Sequence, residues 1–426
     1  MASSTTHFLL LTIALLFISF LSQSHATTPK PRHFILPIGK DPKTNLFYTS
    51  LALGTPRHDM DLVIDLGGPI LWYGCDNHYN SSSYNPVHCE SKKCPAGSAC
   101  TGCNGPFKPG CSNDTCGAFI LNPFADAIFS GDLGEDVLFL SHTSLSLSGL
   151  ISGCTSIDDT SLLNNLPKSG KGILGLARTQ LAFQTQVSLS HKLPLKFSLC
   201  LPSSNKKGLG SFFIGGAPQI ASSKLTLFTT PLVFNPFSTA PIFAEGDASY
   251  EYFIVAKSIK VEGRVINFKS SLLSIDNKGH GGTKISTMNP FTVVHSAIFK
   301  PLVREFSKQA GDRKIRKVAP VAPFGLCFDF STIGRTVTGL DVPTIELELE
   351  GGVKWTIYGG NSMALVNKKV ACLGFVDGGK EPGTSVVIGG HQLEDNLLEF
   401  DLVSSKLSFS SSLLLHNNAR CSHFRS

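Results

Sequence analysis

Apolar and polar residues alternate with a period of two along much of this chain, in short segments separated by glycine and proline. In residues 344–350 every second residue is apolar, and Gly351-Gly352 then turns the chain into a second alternating segment, 353–357. This pattern predicts a β-hairpin with one apolar face. The residues of that face are Ile345, Leu347, Leu349, Val353, Trp355 and Ile357. Similar segments recur throughout, so the predicted fold class is all-β.

A helix is predicted in the second half of the chain. Asn289 fits an N-cap, because its side chain can accept a hydrogen bond from an unpaired amide of the first turn. Pro290 fits the first helical residue, because its φ is already fixed near the helical value. Pro301 is expected to kink the helix. The predicted apolar stripe consists of Val294, Ile298 and Phe306.

The two halves of the chain resemble each other. In the first half, Phe47-Tyr48 precedes a loop that contains Asp65, and in the second half Tyr252-Phe253-Ile254 precedes a loop that contains Ser286. Each half then reaches an apolar segment with a glycine turn, at 172–176 and at 387–390. This internal repeat predicts a duplicated, bilobal β fold with lobes at residues 27–220 and 221–426.

The first 26 residues have the composition of a secretory signal peptide. They contain no Lys, Arg, Asp or Glu, are apolar from Phe8 to Leu21, and end in Ser24-His25-Ala26, as signal peptidase requires. A transmembrane anchor is the alternative, but about 14 apolar residues are fewer than the ~20 that span a bilayer. We therefore expect a signal peptide at 1–26, a secreted, extracellular protein and no membrane anchor.

Twelve cysteines follow the predicted signal peptide. An even number of cysteines in a secreted chain is typical of disulfides, so six bridges are expected. Zinc binding is the alternative for the seven cysteines of the insert 75–116, but the histidines nearby lack metal-ligand spacing, so no metal or other cofactor is expected. Spacing does not determine connectivity; Cys327 with Cys372 and Cys200 with Cys421 are hypotheses. The cysteines are Cys75, Cys89, Cys94, Cys100, Cys103, Cys111, Cys116, Cys154, Cys200, Cys327, Cys372 and Cys421.

Surface chemistry adds two expectations. The sequons at Asn80 and Asn113 lie in polar, loop-like sequence and predict N-glycosylation. The formal net charge of +6 is spread along the chain rather than concentrated, which together with secretion argues against a nucleic-acid partner. A basic secreted protein would adhere to an acidic cell-wall polysaccharide or an acidic partner, whereas solvated charged loops are the alternative interpretation.

Two loops resemble the catalytic loops of pepsin-type aspartic proteases. The first, residues 63–68, contains Asp65 and is followed by Leu71-Trp72. The second, residues 281–292, resembles the plant pattern Gly-Gly-Thr-Ile-Ile-Asp-Ser-Gly-Thr-Thr-Phe-Thr, but Ser286 stands at the position of the aspartate. In these enzymes two carboxylates about 3 Å apart share one proton. A single carboxylate cannot supply both the acid and the base.

Further departures from the protease pattern agree with this loss. Met288 replaces a glycine, and Leu66 replaces a threonine that hydrogen-bonds across the two loops. The flap tyrosine is also missing, since no tyrosine occurs between Tyr84 and Tyr250. We therefore expect no catalytic residue and no enzyme activity. Asp65 is expected to accept hydrogen bonds from nearby backbone amides, with residual catalysis as the alternative.

The chain resembles plant pepsin-like proteins of the extracellular dermal glycoprotein group, which includes xyloglucanase inhibitor proteins, TAXI-type xylanase inhibitors and basic 7S globulins. The motifs that carry the resemblance are residues 65–68, 282–287, 372–379 and 388–396. The resemblance implies a bilobal pepsin-like fold with a few short helices. It also implies a plant-defence function, the inhibition of a microbial endoglucanase or xylanase.

The resemblance further implies candidate target-binding residues. In such inhibitors a basic side chain shortly before the last cysteine enters between the two catalytic carboxylates of the glycosidase. His416 occupies this position, where xyloglucanase inhibitors carry an arginine, and a histidine resembles the xylanase-directed branch. Arg335 is a shifted candidate for a second basic contact. The alternative for His416 is a bystander in a frayed tail. The alternative functions are a storage or peptide-binding globulin and a weak aspartic endopeptidase.

Overall fold

The structure is a computed structural model that describes residues 33–75, 79–96, 98–125, 127–140, 146–155, 160–204, 206, 208–216, 225–240 and 246–424. The predicted signal peptide, 1–26, and the predicted lobe boundary at 220/221 lie outside the described residues. Residues 33–426 form one compact unit. The division into two lobes therefore stays a prediction.

Strands dominate the described chain, which confirms the all-β class. Those before residue 225 are β1 Phe34–Lys40, β2 Phe47–Leu53, β3 His58–Asp65, β4 Trp72–Gly74, β5 Asn85–Pro86, β6 Cys100–Thr101, β7 Thr115–Asn122, β8 Ala127–Phe139, β9 Ser146–Thr155, β10 Gly170–Gly175, β11 Lys196–Cys200 and β12 Gly210–Ile214. Those after it are β13 Phe228–Val233, β14 Tyr252–Ile254, β15 Ala256–Val261, β16 Arg264–Val265, β17 Thr283–Ile285, β18 Thr292–Val294, β19 Lys317–Val318, β20 Cys327–Asp329, β21 Gly334–Thr336, β22 Gly339–Asp341, β23 Ile345–Leu349, β24 Lys354–Ile357, β25 Met363–Leu365, β26 Val370–Leu373, β27 Phe375–Asp377, β28 Val386–Ile388, β29 Leu397–Asp401 and β30 Lys406–Phe409.

Helices are few and mostly short. The α-helices in the described residues are α1 Phe183–His191, α2 Ser296–Asp312, α3 Gly359–Ser362 and α4 Gly390–Leu393. Single turns of 3-10 helix occur at Thr160–Leu163, Ser270–Leu273, Phe330–Thr332, Glu350–Gly352, Leu413–Leu415 and Cys421–His423. Within the described part of the chain, no helix is long and apolar enough to cross a membrane.

The predicted hairpin is confirmed. Strands β23 and β24 pair antiparallel, with Leu347 opposite Trp355. Five of the six predicted apolar side chains are buried, and Val353 is partly buried against the same core. Gly351 and Gly352 turn the chain with φ of 79° and 75°, a conformation that glycine adopts without steric cost.

The predicted start of the long helix is wrong. Residues 292–294, of sequence Thr-Val-Val, form strand β18, which pairs with both β27 and β28. Helix α2 begins only at Ser296, after His295, whose Nδ1 accepts a hydrogen bond from the Ala297 amide at 2.9 Å. Strand pairing of β-branched residues therefore outweighs the local capping signal at Asn289. The helix includes Pro301, and Ile298 and Phe306 are buried on it as predicted.

Strand pairing reproduces the internal repeat. Strand β3 leads to Asp65 and lies parallel to β10, with Gly175 opposite Asp65. Strand β17 leads to Ser286 and lies parallel to β28, with Ile285 opposite Ile388. The antiparallel neighbours β2 and β14 also correspond. Each half therefore presents its loop from the same arrangement of three strands.

All twelve cysteines form disulfides, which confirms the six expected bridges, and no free cysteine remains. The two hypothesised pairings are correct. The bridges are Cys75–Cys154, Cys89–Cys100, Cys94–Cys116, Cys103–Cys111, Cys200–Cys421 and Cys327–Cys372. Among the described residues, no group of three or more His, Cys, Asp or Glu side chains could hold a metal ion.

Candidate functional site

A cleft of about 1040 Å³ brings together the two loops that resemble catalytic loops. The β7–β8 hairpin forms one wall, where a pepsin-type enzyme carries its flap. Apolar and aromatic side chains with a few polar groups are typical of a ligand-binding cleft. The principal lining residues are Asp65, Gly67, Gly68, Phe119, Leu121, Pro123, Ser286, Met288 and Asn289.

Asp65 is the last residue of β3, and its side chain is 9% exposed. The Gly67 amide donates a hydrogen bond to Asp65 Oδ1 at 2.7 Å, as expected for a structural aspartate. Burial raises the pKa of Asp65 to about 6, because desolvation disfavours the charged form. The Gly67 hydrogen bond and Lys284 oppose this increase, whereas the nearby charge of Glu251 adds to it.

The Ser286 hydroxyl stabilises its own loop. Its Oγ accepts hydrogen bonds from the amides of Met288 at 3.2 Å and Asn289 at 3.4 Å. The Ser286 amide donates to the carbonyl of Ile388 at 2.9 Å. A hydroxyl in this role caps a turn. It brings no second carboxylate to share a proton with Asp65.

Thr287 joins the two loops across the cleft. Its Oγ1 donates to the carbonyl of Ile64 at 2.6 Å and accepts from the amide of Leu66 at 3.1 Å. In the first loop, Leu66 stands where the pepsin-type pattern has a threonine that hydrogen-bonds across the two loops. The connection from the second loop is nevertheless present. Thr287 was missed, although it lies directly beside Ser286.

Met288 fills apolar space at the bottom of the cleft. Its side chain is 5% exposed and belongs to a cluster built otherwise from the first half of the chain. The second loop is therefore fixed to the first half by packing as well as by hydrogen bonds. The buried members of this cluster are Leu46, Val63, Trp72, Ile120, Leu162, Leu166, Ile173 and Met288.

A charged pair that the sequence analysis missed also lines the cleft. The Lys284 ammonium lies 2.7 Å from Glu251 Oε1, and the two side chains are 17% and 15% exposed. Burial, followed by the charges of Glu251 and Asp65, raises the pKa of the neighbouring Tyr250 to about 12. Strand alternation could have revealed Lys284, because it faces away from Thr283 and Ile285, which are buried.

Arg178 provides a second connection between the halves. Its Nη2 donates to the carbonyls of Val233 at 2.7 Å and Glu251 at 2.9 Å. Its amide donates to the carbonyl of Tyr250 at 3.0 Å. The guanidinium lies 4.2 Å from the centroid of the Phe234 ring, and burial lowers its pKa. The segment that carries Glu251 is thus held in place beside Asp65.

His416 lies in a turn that is held by several contacts. Asn417 and Asn418 both have positive φ, and the Ala419 amide donates to the carbonyl of His416 at 3.0 Å. The adjacent Cys421 is bonded to Cys200. Arg420 pairs with Asp395 at 3.0 Å. The turn is therefore held by a disulfide, an ion pair and a backbone hydrogen bond, and His416 within it is half-buried. The role of His416 as a target contact stays a prediction.

Arg335 lies on the exposed two-stranded hairpin β21–β22, with its guanidinium 5.4 Å from the Phe330 ring centroid. The chain segments that carry Arg335 and His416 are both hydrogen-bonded to a region formed by α3 and residues 394–395. Three hydrogen bonds make these connections: Gly360 N to Thr338 O at 2.8 Å, Asn361 Nδ2 to Glu394 O at 2.8 Å, and Leu413 N to Asp395 O at 2.9 Å. Among the described residues, no contact joins the side chains of Arg335 and His416.

Both predicted glycosylation sites are exposed. Asn80 lies in a loop, and its backbone carbonyl oxygen lies 2.9 Å from Nε2 of His58. The Oδ1 atom of Asn113 accepts a hydrogen bond from the Cys103 amide at 3.2 Å. A glycan would be attached to the other atom of the side-chain amide, Nδ2. Glycosylation of the two residues stays a prediction.

Comparison with known proteins places the chain among plant pepsin-like proteins. A family model described as xylanase inhibitor N-terminal matches residues 47–216, and one described as xylanase inhibitor C-terminal matches residues 251–411. The chain is 41% identical to the probable aspartic proteinase GIP2 of Nicotiana benthamiana, covering 100% of this chain and 99% of the relative. It is 30% identical to the basic 7S globulin of Glycine max, covering 99% and 98%.

Solved structures agree with the sequence relatives. The crystal structure of edgp has a TM-score of 0.88 at 41% identity and covers 93% of this chain and 98% of that chain. The soybean basic 7S globulin has a TM-score of 0.78 at 28% identity, with coverage of 92% and 99%. These matches confirm the expected pepsin-like fold. The chain belongs to the plant pepsin-like family that the xylanase-inhibitor models describe, together with the basic 7S globulins.

Proposed function

We propose that this protein is a secreted, proteolytically inactive inhibitor of microbial glycoside hydrolases, directed at an endo-xyloglucanase or other endoglucanase or at a xylanase, in plant defence. The observation that carries the proposal is the fixed turn before the last cysteine, which presents His416 in a chain matched by both xylanase-inhibitor models. The target class comes from that family membership. The binding residues come from the resemblance and the turn geometry.

The cleft favours an inactive protein. Ser286 holds its own loop, and Lys284 binds the carboxylate of Glu251. Glu251 is the candidate for a substitute second carboxylate, but its Oε1 is engaged by the Lys284 ammonium at 2.7 Å. Asp65 alone lacks an acid partner that would protonate the substrate carbonyl.

The His416 turn suits insertion into a glycosidase cleft. Retaining and inverting glycosidases hold their two carboxylates about 5 to 9.5 Å apart. Between such carboxylates a protonated imidazole donates two charge-assisted hydrogen bonds. The disulfide to Cys200 and the Arg420–Asp395 pair fix the turn before binding, which lowers the entropy cost of association. Arg335 provides a second basic contact from its hairpin.

Secretion and surface chemistry complete this proposal. The signal peptide at 1–26 directs the chain to the extracellular space, where it meets microbial enzymes and the plant cell wall. Glycans are attached at Asn80 and Asn113, both of which are exposed. The net charge of +6 favours adhesion to acidic cell-wall polysaccharide.

A storage or peptide-binding globulin is the second candidate. Two observations favour it: the relatives named basic 7S globulin and gamma conglutin, and the cleft of about 1040 Å³, which is large enough for a peptide. In that case the cleft would be the peptide-binding site, and the His416 turn would bind no glycosidase.

An activity panel tests the proposed function. The purified protein is mixed with fungal xyloglucanases, cellulases and xylanases, and the hydrolysis of each polysaccharide is measured. We expect stoichiometric loss of activity for at least one enzyme class. If all three classes stay fully active in excess protein, the inhibitor proposal fails and the globulin proposal gains. Cleavage of a denatured protein at acid pH that Asp65→Ala abolishes would contradict proteolytic inactivity.

A further inference from the structure

A groove beside helix α2 is lined by basic side chains. It has a volume of about 410 Å³, with Lys300 and Arg304 on the helix and Lys317 on strand β19. The other lining residues are Phe299, Val303 and Ser307. These six residues are called the α2 groove below. The groove involves neither the two loops of the cleft nor the His416 turn.

The cations of the helix form a regular row. Lys300, Arg304 and Lys308 are exposed and follow one another at intervals of four residues. Residues four apart lie on one face of an α-helix. With a rise of about 1.5 Å per residue, the row spans about 12 Å. A flexible, evenly charged chain can therefore contact the three residues in succession.

These cations are available to a ligand. In the part of the chain that the structure describes, Lys300, Arg304, Lys308 and Lys317 make no ion pair. Asp312 ends the helix one turn beyond Lys308 on the same face, and it is not among the residues that line the groove. Among other acidic side chains of this half, Asp329 pairs with Arg316, and Glu262 and Asp341 pair with Arg313. Glu305, which follows Arg304, accepts a hydrogen bond from the uncharged amide of Gln309 at 2.7 Å and does not line the groove.

The groove also has an aromatic surface. Phe299 is partly buried, and a Cβ built on Gly325 would lie 2.8 Å from its Cζ, so the ring packs directly on this backbone. An aromatic ring in the same groove lining as Lys300 and Lys317 suits a ligand with both apolar faces and negative charges. A sugar acid has this chemistry, because the C–H groups of its ring are apolar and its carboxylate is charged.

Two other polyanionic partners fit less well. Insertion into a membrane surface requires an apolar helix face, but the apolar residues Ile298, Leu302 and Phe306 of α2 are buried in the core. Binding of single-stranded nucleic acid relies on several aromatic platforms, and the groove lining contains one aromatic residue, Phe299. Charge complementarity therefore favours an acidic polysaccharide.

We propose that the α2 groove binds a polyuronate, a polysaccharide with one carboxylate per sugar. Arg304 and the lysines bind successive carboxylates, and Phe299 packs against a sugar ring. The proposal deepens one part of the proposed function, adhesion to acidic polysaccharide, by giving it a site and a ligand class. It does not depend on whether the protein inhibits a glycosidase.

The test measures retention of the full mature protein on immobilised polygalacturonate. The variant carries Lys300→Glu, Arg304→Glu and Lys317→Glu. The control carries Lys43→Glu, Lys168→Glu and Lys406→Glu, which gives the same net charge from exposed lysines elsewhere. We expect the groove variant to bind at least about tenfold more weakly, equivalent to about 1.4 kcal/mol, and the control to stay within about threefold of the native protein.

Two further binding measurements identify which chemical groups of the ligand and of the groove are recognised. Fully methyl-esterified polygalacturonate should not retain the protein, because its carboxylates are neutral. Phe299→Ala should weaken binding without changing its salt dependence. The proposal is overturned if the two triple variants lose binding equally, if the ester binds as well as the acid, or if DNA is retained as strongly. Glycosidase inhibition by the groove variant should be unchanged, so the two proposals fail separately.

Discussion

The ammonium group of Lys284 lies 2.7 Å from a carboxylate oxygen of Glu251, in the cleft beside the retained aspartate. Both side chains are largely buried, so the pair places two opposite charges next to Asp65. A functional dyad needs two carboxylates that hold one proton between them. Here the carboxylate of Glu251 is paired with a lysine, and Ser286, which the resemblance to pepsin-type loops aligns with the second aspartate, brings no carboxylate.

Under the proposed inactivity, Ser286→Asp alone should not produce proteolysis. In Ser286→Asp the new carboxylate lies near the Lys284–Glu251 pair, and Met288 still fills the space of a glycine. The flap tyrosine is also absent. We expect cleavage of a denatured protein substrate at acid pH to stay at background. Strong cleavage by Ser286→Asp that disappears in the Asp65→Ala, Ser286→Asp double variant would contradict this account.

The pKa of Asp65 predicts a pH dependence of stability. Burial raises this pKa from 3.8 to about 6, so the folded protein binds the proton more tightly than the unfolded chain. The free energy of unfolding therefore falls as the pH rises from about 4 to about 6. A shift of about two pKa units corresponds to about 3 kcal/mol.

Asp65→Asn isolates this contribution, because asparagine keeps an acceptor for the Gly67 amide and does not titrate. From about pH 4 to about pH 7, we expect the variant to gain up to about 3 kcal/mol relative to the native protein. Denaturant unfolding at both pH values measures the gain. Asp59→Asn, exposed on the same strand, is the matched control and should change by less than about 0.5 kcal/mol. An equal difference at both pH values for Asp65→Asn would contradict the assignment.

The cross-loop contact of Thr287 should contribute measurably to stability. Thr287→Val conserves shape but leaves the buried Leu66 amide without its partner. We expect a loss of about 2 to 3 kcal/mol in the free energy of unfolding. Thr283→Val is a matched control on the same segment, since Thr283 is buried and its hydroxyl has no partner among the described residues. Equal effects of the two substitutions would argue against the cross-loop role.

His416 and Arg335 should act on inhibition rather than on folding. His416→Ala should weaken inhibition of the target glycosidase at least about tenfold, equivalent to about 1.4 kcal/mol, with an unchanged melting temperature. Arg335→Ala should weaken it less, because its hairpin is more exposed. His33→Ala, at an exposed position near the start of the described chain, is the control. Unchanged potency of His416→Ala would make that residue a bystander.

The sequence predicted the fold well because its signals are local or repeated. Alternation over residues 344–357 predicted the β23–β24 hairpin and its buried face. The repeated apolar and glycine segments predicted a duplicated β fold, and the matching pairs β3–β10 and β17–β28 follow that repeat. The helix start failed, because its capping signal competed with strand pairing of residues 292–294 to partners more than 80 residues away.

The candidate site was predicted less completely. Ser286 and Asp65 were identified because they lie inside recognisable loop patterns. Thr287, Lys284 and Arg178 were missed, since each acts through partners that are 221, 33 and 73 residues away in the chain. No local sequence pattern indicates contacts between residues that are so far apart in the chain. The fixed state of the His416 turn likewise depends on contacts with distant segments.

The most direct test of the central claim is a titration of a purified glycoside hydrolase with the protein, in the presence and absence of an oligosaccharide that occupies the enzyme cleft. We predict a linear loss of polysaccharide hydrolysis that ends near one protein per enzyme, and competition by the oligosaccharide. No loss of activity for any xyloglucanase, cellulase or xylanase, at several equivalents of protein, would contradict the claim.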